Sequence, residues 1–409
     1  MNVREHYSSG HASPLEVVAF FLPQFHPIPE NDRWWGPGFT EWTHAAAARP
    51  LFEGHLQPRL PADLGFYDLR VPQTRRAQWE LAARYGVTAL CYWHYWFGGG
   101  VQLLARPAMD LLEHPKLPHR YCLGWANQTW TGVWHGRGDE ILQEQRYPGE
   151  ADDIKHFNYL LPHFLDDRYL TVDGRPVFYF FRPGDIPDLR KLAALWQQMA
   201  VDAGLPGLYF AGDIHGTWTS DPDQPLDAGV WAPPPPPAGH EWEDSFPGDP
   251  LREDPRAFLY DTTFADWVLS GCVTGIRQHP CVVPGFDNTP RSGRRGVLLH
   301  RLDPGVFETA VKNAVRRERA MPGPRMLFIK SWNEWGEGAI MEPDKIFGRA
   351  FLRALERGLS LAAATRRGRR AGWRGRRRSG PGAGRSQSSR RTGTARRQPC
   401  RSGRGRIAR

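Results

Sequence analysis

Eight short runs of apolar residues, rich in β-branched and aromatic side chains, recur along the chain, and each is followed by residues typical of loops. Continuous apolar runs of this length predict strands that are buried on both faces, as in a parallel sheet. The predicted strands are Val17–Leu22, Val87–Tyr92, Tyr121–Trp125, Val177–Phe181, Leu208–Ala211, Ala228–Val230, Cys281–Pro284 and Met326–Ile329.

Segments with a helical spacing of apolar residues separate most of these runs. They are Pro72–Tyr85, Ala151–Phe164, Asp188–Ala203, Pro255–Leu269, Pro304–Arg317 and Lys345–Leu361. The alternation of strands and helices predicts an α/β fold with a parallel sheet and crossover helices. Eight such units predict a single (β/α)₈ TIM barrel with long loop insertions. A doubly wound open sheet is the alternative, because Ala228–Val230 is a short run.

Two irregular regions interrupt the alternation. Residues 30–68 contain many prolines together with Trp34, Trp35 and Trp42. Loops of this length inside a compact domain are usually functional or disordered, and the aromatic content favours a packed, functional insert. Farther along, Pro233–Pro237 and the acidic stretch that follows predict an extended loop over the mouth of the barrel. Binding of these prolines to a proline-recognising domain is the less favoured interpretation.

The composition changes abruptly near the C-terminal end, where residues 366–409 contain 17 arginines and no lysine, aspartate or glutamate. A segment with almost no apolar side chains cannot bury a core. We therefore predict a flexible N-terminus at 1–14, one barrel domain at 15–363 and a disordered Arg-rich tail at 364–409. A frame-shifted, non-functional translation of a GC-rich gene is the favoured explanation of the tail, and binding to nucleic acid or a membrane surface is the alternative.

The net charge of +9 comes from this tail. Without the 17 positive charges, residues 1–365 carry a net charge of −8. The body of the protein is mildly acidic, and its charge gives no reason to expect a nucleic-acid partner.

The five cysteines include no Cys-x-x-Cys pair and predict no disulfide framework. The N-terminal residues lack the basic start and apolar run of a signal peptide, and no apolar run approaches the roughly 20 residues that span a bilayer. We therefore expect a cytoplasmic protein without a transmembrane segment. The sequence does not predict the oligomeric state.

The residues that follow the predicted strands combine aromatic and polar side chains. In a parallel barrel the active site lies where strands end and their loops begin. Aromatic faces stack on the C–H surfaces of sugars while polar groups bind hydroxyls, so this composition predicts a carbohydrate site. The candidate substrate-binding residues are Trp93, His94, Tyr95, Trp96, Trp125, Asn127, Asp213, Asp287, Asn288, Trp332 and Asn333.

Two glutamates that follow the eighth strand, Glu334 and Glu337, are the candidate catalytic residues. Glycoside cleavage needs two carboxyl groups, one acting as acid and the other as base or nucleophile. On a helical turn, a spacing of three places both side chains on one face. A solvated helix start is the alternative for an isolated Glu-x-x-Glu. The flanking Trp332 and Trp335 and the position after a buried strand favour catalysis.

Other reaction classes have weaker support. No His-x-x-x-His pair lies beside an acid, no glycine-flanked serine elbow is present, and Gly98–Gly100 lacks the Lys-Ser/Thr of a phosphate loop. We predict neither a metal nor another cofactor.

Several motifs together resemble the WbsX-like, glycoside hydrolase family 99-like proteins, over roughly residues 15–360. These motifs are Val18–Pro27, Gly38–Trp42, Gln57–Pro58, Pro61–Asp68, Tyr92–Phe97, Trp125–Asn127, Asp173–Pro176, Asp287–Thr289 and Trp332–Gly338. One difference from the hydrolases is Gly336, where those proteins often carry His.

The resemblance implies a (β/α)₈ barrel with a role in bacterial cell-surface polysaccharide or lipopolysaccharide O-antigen metabolism. Characterised family 99 hydrolases are retaining endo-α-mannosidases. In their proposed route one Glu removes the proton of the sugar's 2-hydroxyl, whose oxygen attacks the anomeric carbon. The other Glu protonates the leaving oxygen and then activates water. Carried onto this motif, Glu334 is the base and Glu337 the acid/base.

We therefore expect a glycoside hydrolase or transglycosylase that takes an oligosaccharide or polysaccharide substrate. A glycosyltransferase of O-antigen biosynthesis is one alternative, although no Asp-x-Asp nucleotide-sugar signature is visible in a doubly wound domain. A non-catalytic glycan-binding barrel is the other.

Overall fold

The computed structural model describes residues 14–132, 137–214, 225–231, 255–261 and 275–371. The chain divides into two compact units, Met1–Thr365 and Arg366–Arg409, and the features described below belong to the first, apart from the C-terminal end of the last helix. The proline-rich loop predicted over the barrel mouth and residues 372–409 of the predicted tail lie outside the described residues.

Eight parallel strands form the central sheet, and they correspond to the eight predicted runs. We number them β1 to β8 in chain order: β1 Leu15–Phe21, β2 Ala89–Trp96, β3 Tyr121–Trp125, β4 Arg175–Phe180, β5 Tyr209–Asp213, β6 Ala228–Trp231, β7 Arg277–Val282 and β8 Arg325–Ile329. Both ends of every strand lie within four residues of the predicted bounds, and the short run Ala228–Val230 is confirmed as the strand β6.

The sheet closes on itself. The hydrogen-bonded order is β1-β8-β7-β6-β5-β4-β3-β2, and β2 pairs again with β1. Val18 of β1, for example, is in register with Phe328 of β8 on one side and with Ala89 of β2 on the other. This closure confirms the (β/α)₈ barrel and excludes the doubly wound open sheet.

Helices lie between most of the barrel strands. They are α1 Pro29–Trp35, α2 Glu41–Ala47, α3 Pro72–Arg84, α4 Arg106–Glu113, α5 Glu150–Phe164, α6 Leu189–Asp202, α7 Thr289–Ser292, α8 Pro304–Ala320 and α9 Ala350–Ala371. Five of the six predicted helices correspond to α3, α5, α6, α8 and α9. Helix α9 extends past the predicted barrel boundary at residue 363.

Local chemistry explains where two of these helices begin. The Asp188 carboxylate accepts a hydrogen bond of 2.9 Å from the backbone of Lys191 at the start of α6. Asp303 does the same for Gly305 at 2.6 Å, and Pro304 occupies the first turn of α8. Side-chain caps satisfy backbone donors that have no partner in the first turn, and proline fits that turn without losing a hydrogen bond.

Shorter elements decorate the barrel. The remaining strands are Gln102–Leu103, Trp130–Gly132, Arg137–Gln143, Thr171–Val172, Arg256–Leu259, Val297–His300, Asn333–Glu334 and Ala339–Ile340, and the 3₁₀ turns are Pro183–Asp185, Gly293–Arg295 and Trp335–Glu337. Among the described helices, none is both long and apolar enough to cross a membrane.

The helix predicted over Pro255–Leu269 is wrong for its first residues. Arg256–Leu259 is a strand that pairs in parallel with Val297–His300. Ala257 and Phe258 are buried in this strand. Pairing with a distant segment overrides the local helical spacing here. Residues 262–269 of the same prediction lie outside the described part of the chain.

The insert at residues 30–68 is packed and includes the short helices α1 and α2. The Trp42 indole donates a hydrogen bond of 2.8 Å to the Tyr67 carbonyl, and both rings pack on Phe25. Helix α2 begins at Glu41, whose backbone N–H donates to the Gln24 carbonyl just after β1. The insert therefore brings Glu41 to the C-terminal end of the barrel.

Candidate active site

A cavity of about 140 Å³ opens at the C-terminal ends of the barrel strands. Its volume is roughly ten times that needed for one water molecule, so it accommodates a monosaccharide-sized group. The lining residues come from the ends of β1, β2, β3, β4, β7 and β8 and the loops that follow them. They are Leu22, Gln24, Trp93, Tyr95, Ala126, Gln128, Trp130, Phe181, Arg291, Lys330, Ser331, Glu334 and Glu337.

Glu334 and Glu337 both face this cavity. Their spacing suggests a helical turn, but a short hairpin carries them instead. Glu334 ends the short strand Asn333–Glu334, which pairs antiparallel with Ala339–Ile340, and Glu337 closes the 3₁₀ turn between them. Asn333 fixes this hairpin to the end of β1, because its side chain accepts from the Leu22 N–H at 2.7 Å and donates to the Leu22 carbonyl at 3.0 Å.

One guanidinium group joins the two carboxyl groups. Arg291 of α7 donates from Nη1 to Glu337 Oε1 at 2.5 Å and from Nη2 to Glu334 Oε2 at 3.3 Å. A third carboxylate, that of Glu41, accepts from the same guanidinium at 2.8 Å. The side chains of Arg291 and Glu334 are 4% and 9% exposed, whereas that of Glu337 is 25% exposed. Glu337 is therefore the more accessible member of the pair.

Burial dominates the protonation of the deeper glutamate. It raises the pKa of Glu334 to about 8, and the negative charges of Glu337 and Glu41 act in the same direction, against Arg291 and Lys330. A carboxyl group in a poorly hydrated site favours its neutral form. Near neutral pH the site therefore holds a protonated Glu334.

A second buried carboxyl group, that of Glu342, links the hairpin to neighbouring elements through hydrogen bonds. Glu342 accepts hydrogen bonds from Gln78 at 2.7 Å, from the Trp335 indole at 2.8 Å and from the Tyr67 hydroxyl at 2.9 Å. Burial raises the pKa of Glu342 to about 7. Its three donors come from α3, the hairpin that carries Glu334 and the insert, so Glu342 fixes the hairpin between these elements.

Aromatic side chains of β2 form one wall of the cavity. Trp93 stacks on Phe20 with ring centroids 4.8 Å apart, and Tyr95 packs edge-on against Trp130 at 5.0 Å. Gly124 on β3 leaves the space for the Trp93 indole, because a Cβ there would lie 3.2 Å from that ring. Burial and the charge of Glu334 raise the pKa of Tyr95.

Comparison with known proteins places this barrel in a family. The family model described as glycosyltransferase WbsX matches residues 17–355, which is most of the chain. The chain belongs to the WbsX family. Protein WxcX of Xanthomonas campestris pv. campestris, described as uncharacterized, is 38% identical over 361 residues. That match covers 85% of this chain and 50% of WxcX, so the chain spans about half the length of the curated relatives it matches.

Solved structures share the fold of this WbsX-family protein. The family 99 endo-α-mannosidase from Bacteroides thetaiotaomicron, in complex with Bis-Tris-propane, superposes with a TM-score of 0.53 at 17% identity, covering 87% of this chain and all of that one. A structure described as a glycoside hydrolase-like protein gives 0.52 at 14% identity, covering 87% and 97%. At these identities the likeness establishes the fold. The resemblance inferred from the motifs is thereby confirmed.

Four of the thirteen predicted site residues line the cavity: Trp93, Tyr95, Glu334 and Glu337. Their neighbours on β2 lie on the other side of the strand. His94 contacts His156 of α5 through a hydrogen bond of 2.8 Å between the two Nε2 atoms, and Trp96 stacks on the same imidazole. Successive side chains of a strand point to opposite faces, so only alternate members of the run reach the cavity.

Trp125 and Asn127 are buried beside the cavity and do not line it. The Trp125 indole donates to the Trp96 carbonyl at 2.8 Å. Asn127 donates to the Tyr147 hydroxyl at 2.9 Å and to the Arg182 carbonyl at 2.7 Å, and accepts from the Arg182 N–H at 2.8 Å. These bonds hold the loops after β3 and β4 together.

The aspartate and asparagine predicted after β7 organise α7. Asp287 accepts from His55 and Gln57 through Oδ2, at 2.8 and 2.7 Å, and from Thr289 through Oδ1. Asn288 accepts from the Val297 N–H at 2.7 Å. Both residues therefore fix the segment that presents Arg291.

Three further predicted residues are buried without lining the cavity: Asp213, Trp332 and Asn333. Asp213 ends β5, and Asn333 makes the bonds to Leu22 described above. Trp332 is fully buried, and its backbone N–H donates to the Phe20 carbonyl at 2.7 Å. Trp332 and Asn333 thus position the hairpin that carries the glutamates.

Sequence reasoning missed the cationic and amide groups of the cavity: Arg291, Lys330, Gln24 and Gln128. Lys330 directly follows β8 and Gln24 lies three residues after β1, so reading every strand end for polar residues would have found both. Arg291 carries no local signal in an arginine-rich sequence. In the part of the chain that the structure describes, no group of three or more His, Cys, Asp or Glu could hold a metal ion.

Proposed function

We propose that this WbsX-family barrel is a retaining, endo-type glycoside hydrolase, α-mannosidase-like, or a transglycosylase that acts on a bacterial cell-surface polysaccharide such as O-antigen. The observation that carries the proposal is the pair Glu334 and Glu337, held on one arginine in an aromatic-walled cavity at the C-terminal rim. Barrel enzymes place their catalytic groups at this rim. The Bacteroides thetaiotaomicron protein that shares this fold is described as an endo-α-mannosidase, which agrees with this class.

The proposed reaction divides the work between the two carboxyl groups. Glu334 takes the proton of the 2-hydroxyl while that oxygen forms a bond to the anomeric carbon, and Glu337 gives its proton to the departing glycosidic oxygen. Glu337 then takes a proton from water, whose oxygen bonds to the anomeric carbon as the bond to the 2-oxygen breaks. Glu334 returns its proton to that oxygen. Two displacements retain the anomeric configuration.

This scheme requires Glu334 to be ionised before it can accept a proton. Its pKa of about 8 leaves only a minor fraction ionised in the free protein at neutral pH. The hydrogen bond from the Arg291 guanidinium stabilises the ionised form of Glu334, which is the form that accepts the proton. A base of raised pKa is also a stronger proton acceptor once it is ionised.

A glycosyltransferase is the second candidate, favoured by the description of the family model. It requires an activated sugar donor, whereas the hydrolase requires only water. The two reactions therefore differ in what the purified protein consumes.

The proposal is tested by incubating the purified protein with a panel of bacterial polysaccharides and α-mannan oligosaccharides, with and without nucleotide-sugar donors. The expected result is shorter oligosaccharides with retained configuration at the new reducing end. Chain shortening without a donor supports the hydrolase. Donor consumption with chain extension and no shortening would overturn it in favour of the transferase.

A further inference from the structure

The guanidinium of Arg291 divides its donors between the catalytic pair and a third carboxylate. Nη1 donates to Glu337 and Nη2 donates to Glu334. Glu41 Oε2 accepts from Nε at 3.1 Å and lies 2.8 Å from Nη2. Each catalytic carboxyl group receives a bond from a different nitrogen of one planar group. The position of that plane therefore sets the position of both carboxyl groups relative to each other.

The Glu41 side chain lies outside the cavity. It is fully buried. Its Oε1 atom has no hydrogen-bond partner among the described residues, and its Oε2 atom binds Arg291. Burial of a carboxylate carries a large desolvation cost that one ion pair seldom offsets, so stability alone gives little reason for this residue.

The catalytic hairpin leaves space for this ion pair. A Cβ at position 336 would collide with Glu41 Oε2 and lie 2.7 Å from Arg291 Nε. Gly336 lies between Glu334 and Glu337 in the 3₁₀ turn. The turn thus approaches the ion pair as closely as a backbone without a side chain allows.

We propose that Arg291 is a positioning residue for both catalytic carboxyl groups, and that buried Glu41 fixes the guanidinium plane in the orientation that serves them. The inference rests on the proposed function for its catalytic consequence. Its geometric part, that Glu41 acts on Glu334 through Arg291, is independent of the substrate.

The test compares three single substitutions. Glu41→Gln keeps the size and an acceptor oxygen but removes the charge that anchors Arg291. Arg291→Lys keeps the charge but replaces the planar donor fork by a single ammonium. Glu308→Gln is the matched control, because Glu308 of α8 accepts a 2.6 Å bond from Arg357 of α9 and is not one of the residues that line the cavity.

Two readouts are measured on each protein. The first is the titration of the Glu334 carboxyl carbon by ¹³C NMR, assigned by its loss in Glu334→Gln. The second is kcat and KM on a cleaved glycan. We expect Glu41→Gln to lower the Glu334 midpoint, because the Glu41 charge opposes ionisation of Glu334. Both Glu41→Gln and Arg291→Lys should lower kcat between about tenfold and 100-fold with KM nearly unchanged, the size of loss that misplaced catalytic groups cause. Glu308→Gln should match the wild type in both readouts.

The outcomes separate this inference from the proposed activity. If the wild type cleaves no glycan and the shift of the Glu334 midpoint caused by Glu41→Gln is absent in a protein that already carries Arg291→Lys, the proposed activity fails and the positioning by Glu41 through Arg291 stands. An equal shift in the protein that carries Arg291→Lys would be the direct effect of the Glu41 charge and would overturn the inference. If the wild type turns over and Glu41→Gln changes only thermal stability, leaving midpoint and kcat unaltered, the inference is overturned. An equal change in Glu308→Gln would overturn it as well.

Discussion

The indole of Trp93 stacks on the phenyl ring of Phe20 with 4.8 Å between ring centroids and 1° between ring planes. Phe20 packs in turn on Tyr179 of β4 and Phe328 of β8. The wall of the cavity therefore rests directly on the aromatic filling of the barrel. A rigid, packed support of this kind holds a binding surface in place before substrate arrives.

This arrangement predicts different effects for two tryptophans of β2. Trp93→Phe keeps a ring on Phe20 but shortens the cavity wall, so we expect KM for a cleaved glycan to rise several-fold. Trp96→Phe removes the 3.0 Å bond to Asp152 and part of the packing on His156. It should lower the melting temperature with KM unchanged. Steady-state kinetics and thermal melts check both, and an equal rise of KM in the two variants would contradict the assignment of faces.

The pH dependence of the reaction reports the role of Glu334. A base must be ionised in the free enzyme, and burial raises the pKa of Glu334 to about 8. On a glycoside with an activated leaving group, which departs without the proton of Glu337, only the base controls the profile, so we expect kcat/KM to rise about tenfold per pH unit on approach to pH 8 and to level off above it. A profile on this substrate that is flat below pH 8 and declines above it would contradict the role of Glu334 as the base.

Removal of the Glu334 charge should stabilise the fold above acidic pH. The folded-state pKa of about 8 exceeds the 4.5 of a solvated glutamate. Between these values the folded state binds more protons than the unfolded state, so the free energy of unfolding falls as pH rises, by up to roughly 1.4 kcal/mol per pH unit. Glu334→Gln should therefore melt higher than the wild type at pH 8, and the difference should shrink towards pH 4.

Glu342→Gln is the matched control for this effect. Glu342 is also a buried glutamate, but its two oxygens accept bonds from three donors. A glutamine places an amide NH₂ against at least one of those donors, at a cost of about 1–3 kcal/mol. We expect this variant to melt lower than the wild type. Stabilisation by both substitutions would indicate a general effect of removing acids.

Gly336→Ala tests the close approach of the turn Trp335–Glu337 to the Glu41–Arg291 pair. The added methyl group requires Glu41 or Arg291 to move. We expect kcat to fall by about 100-fold, since Arg291 holds both carboxyl groups, while the circular dichroism spectrum stays unchanged. Wild-type kcat in this variant would show that the turn tolerates a side chain there.

The barrel could be predicted because its strands carry a local signal. Buried parallel strands are apolar along their whole length, so Val17–Leu22 and Met326–Ile329 were visible without knowledge of their partners. The helix predicted over Pro255–Leu269 fails at Arg256–Leu259 because pairing with Val297–His300 is a non-local interaction. Local spacing contains no information about such a partner.

The candidate site also contains residues that the sequence predicts and residues that only the fold brings together. Glu334 and Glu337 follow a strand directly, and their position at the rim follows from the fold. Glu41 and Arg291 are 250 residues apart in the chain, and only closure of the barrel brings them together. The prediction that His94 contacts substrate together with Trp93 did not take into account that neighbouring side chains of a strand point to opposite faces, a rule that needs only the sequence.

The central claim is that Glu334 and Glu337 cleave a glycosidic bond within this barrel. The most direct measurement is product release from a cleaved polysaccharide by the wild type, Glu334→Gln and Glu337→Gln, with folding of each variant verified by thermal melts. The account predicts that each substitution lowers kcat by orders of magnitude in a folded protein. Wild-type rates in both folded variants would contradict it.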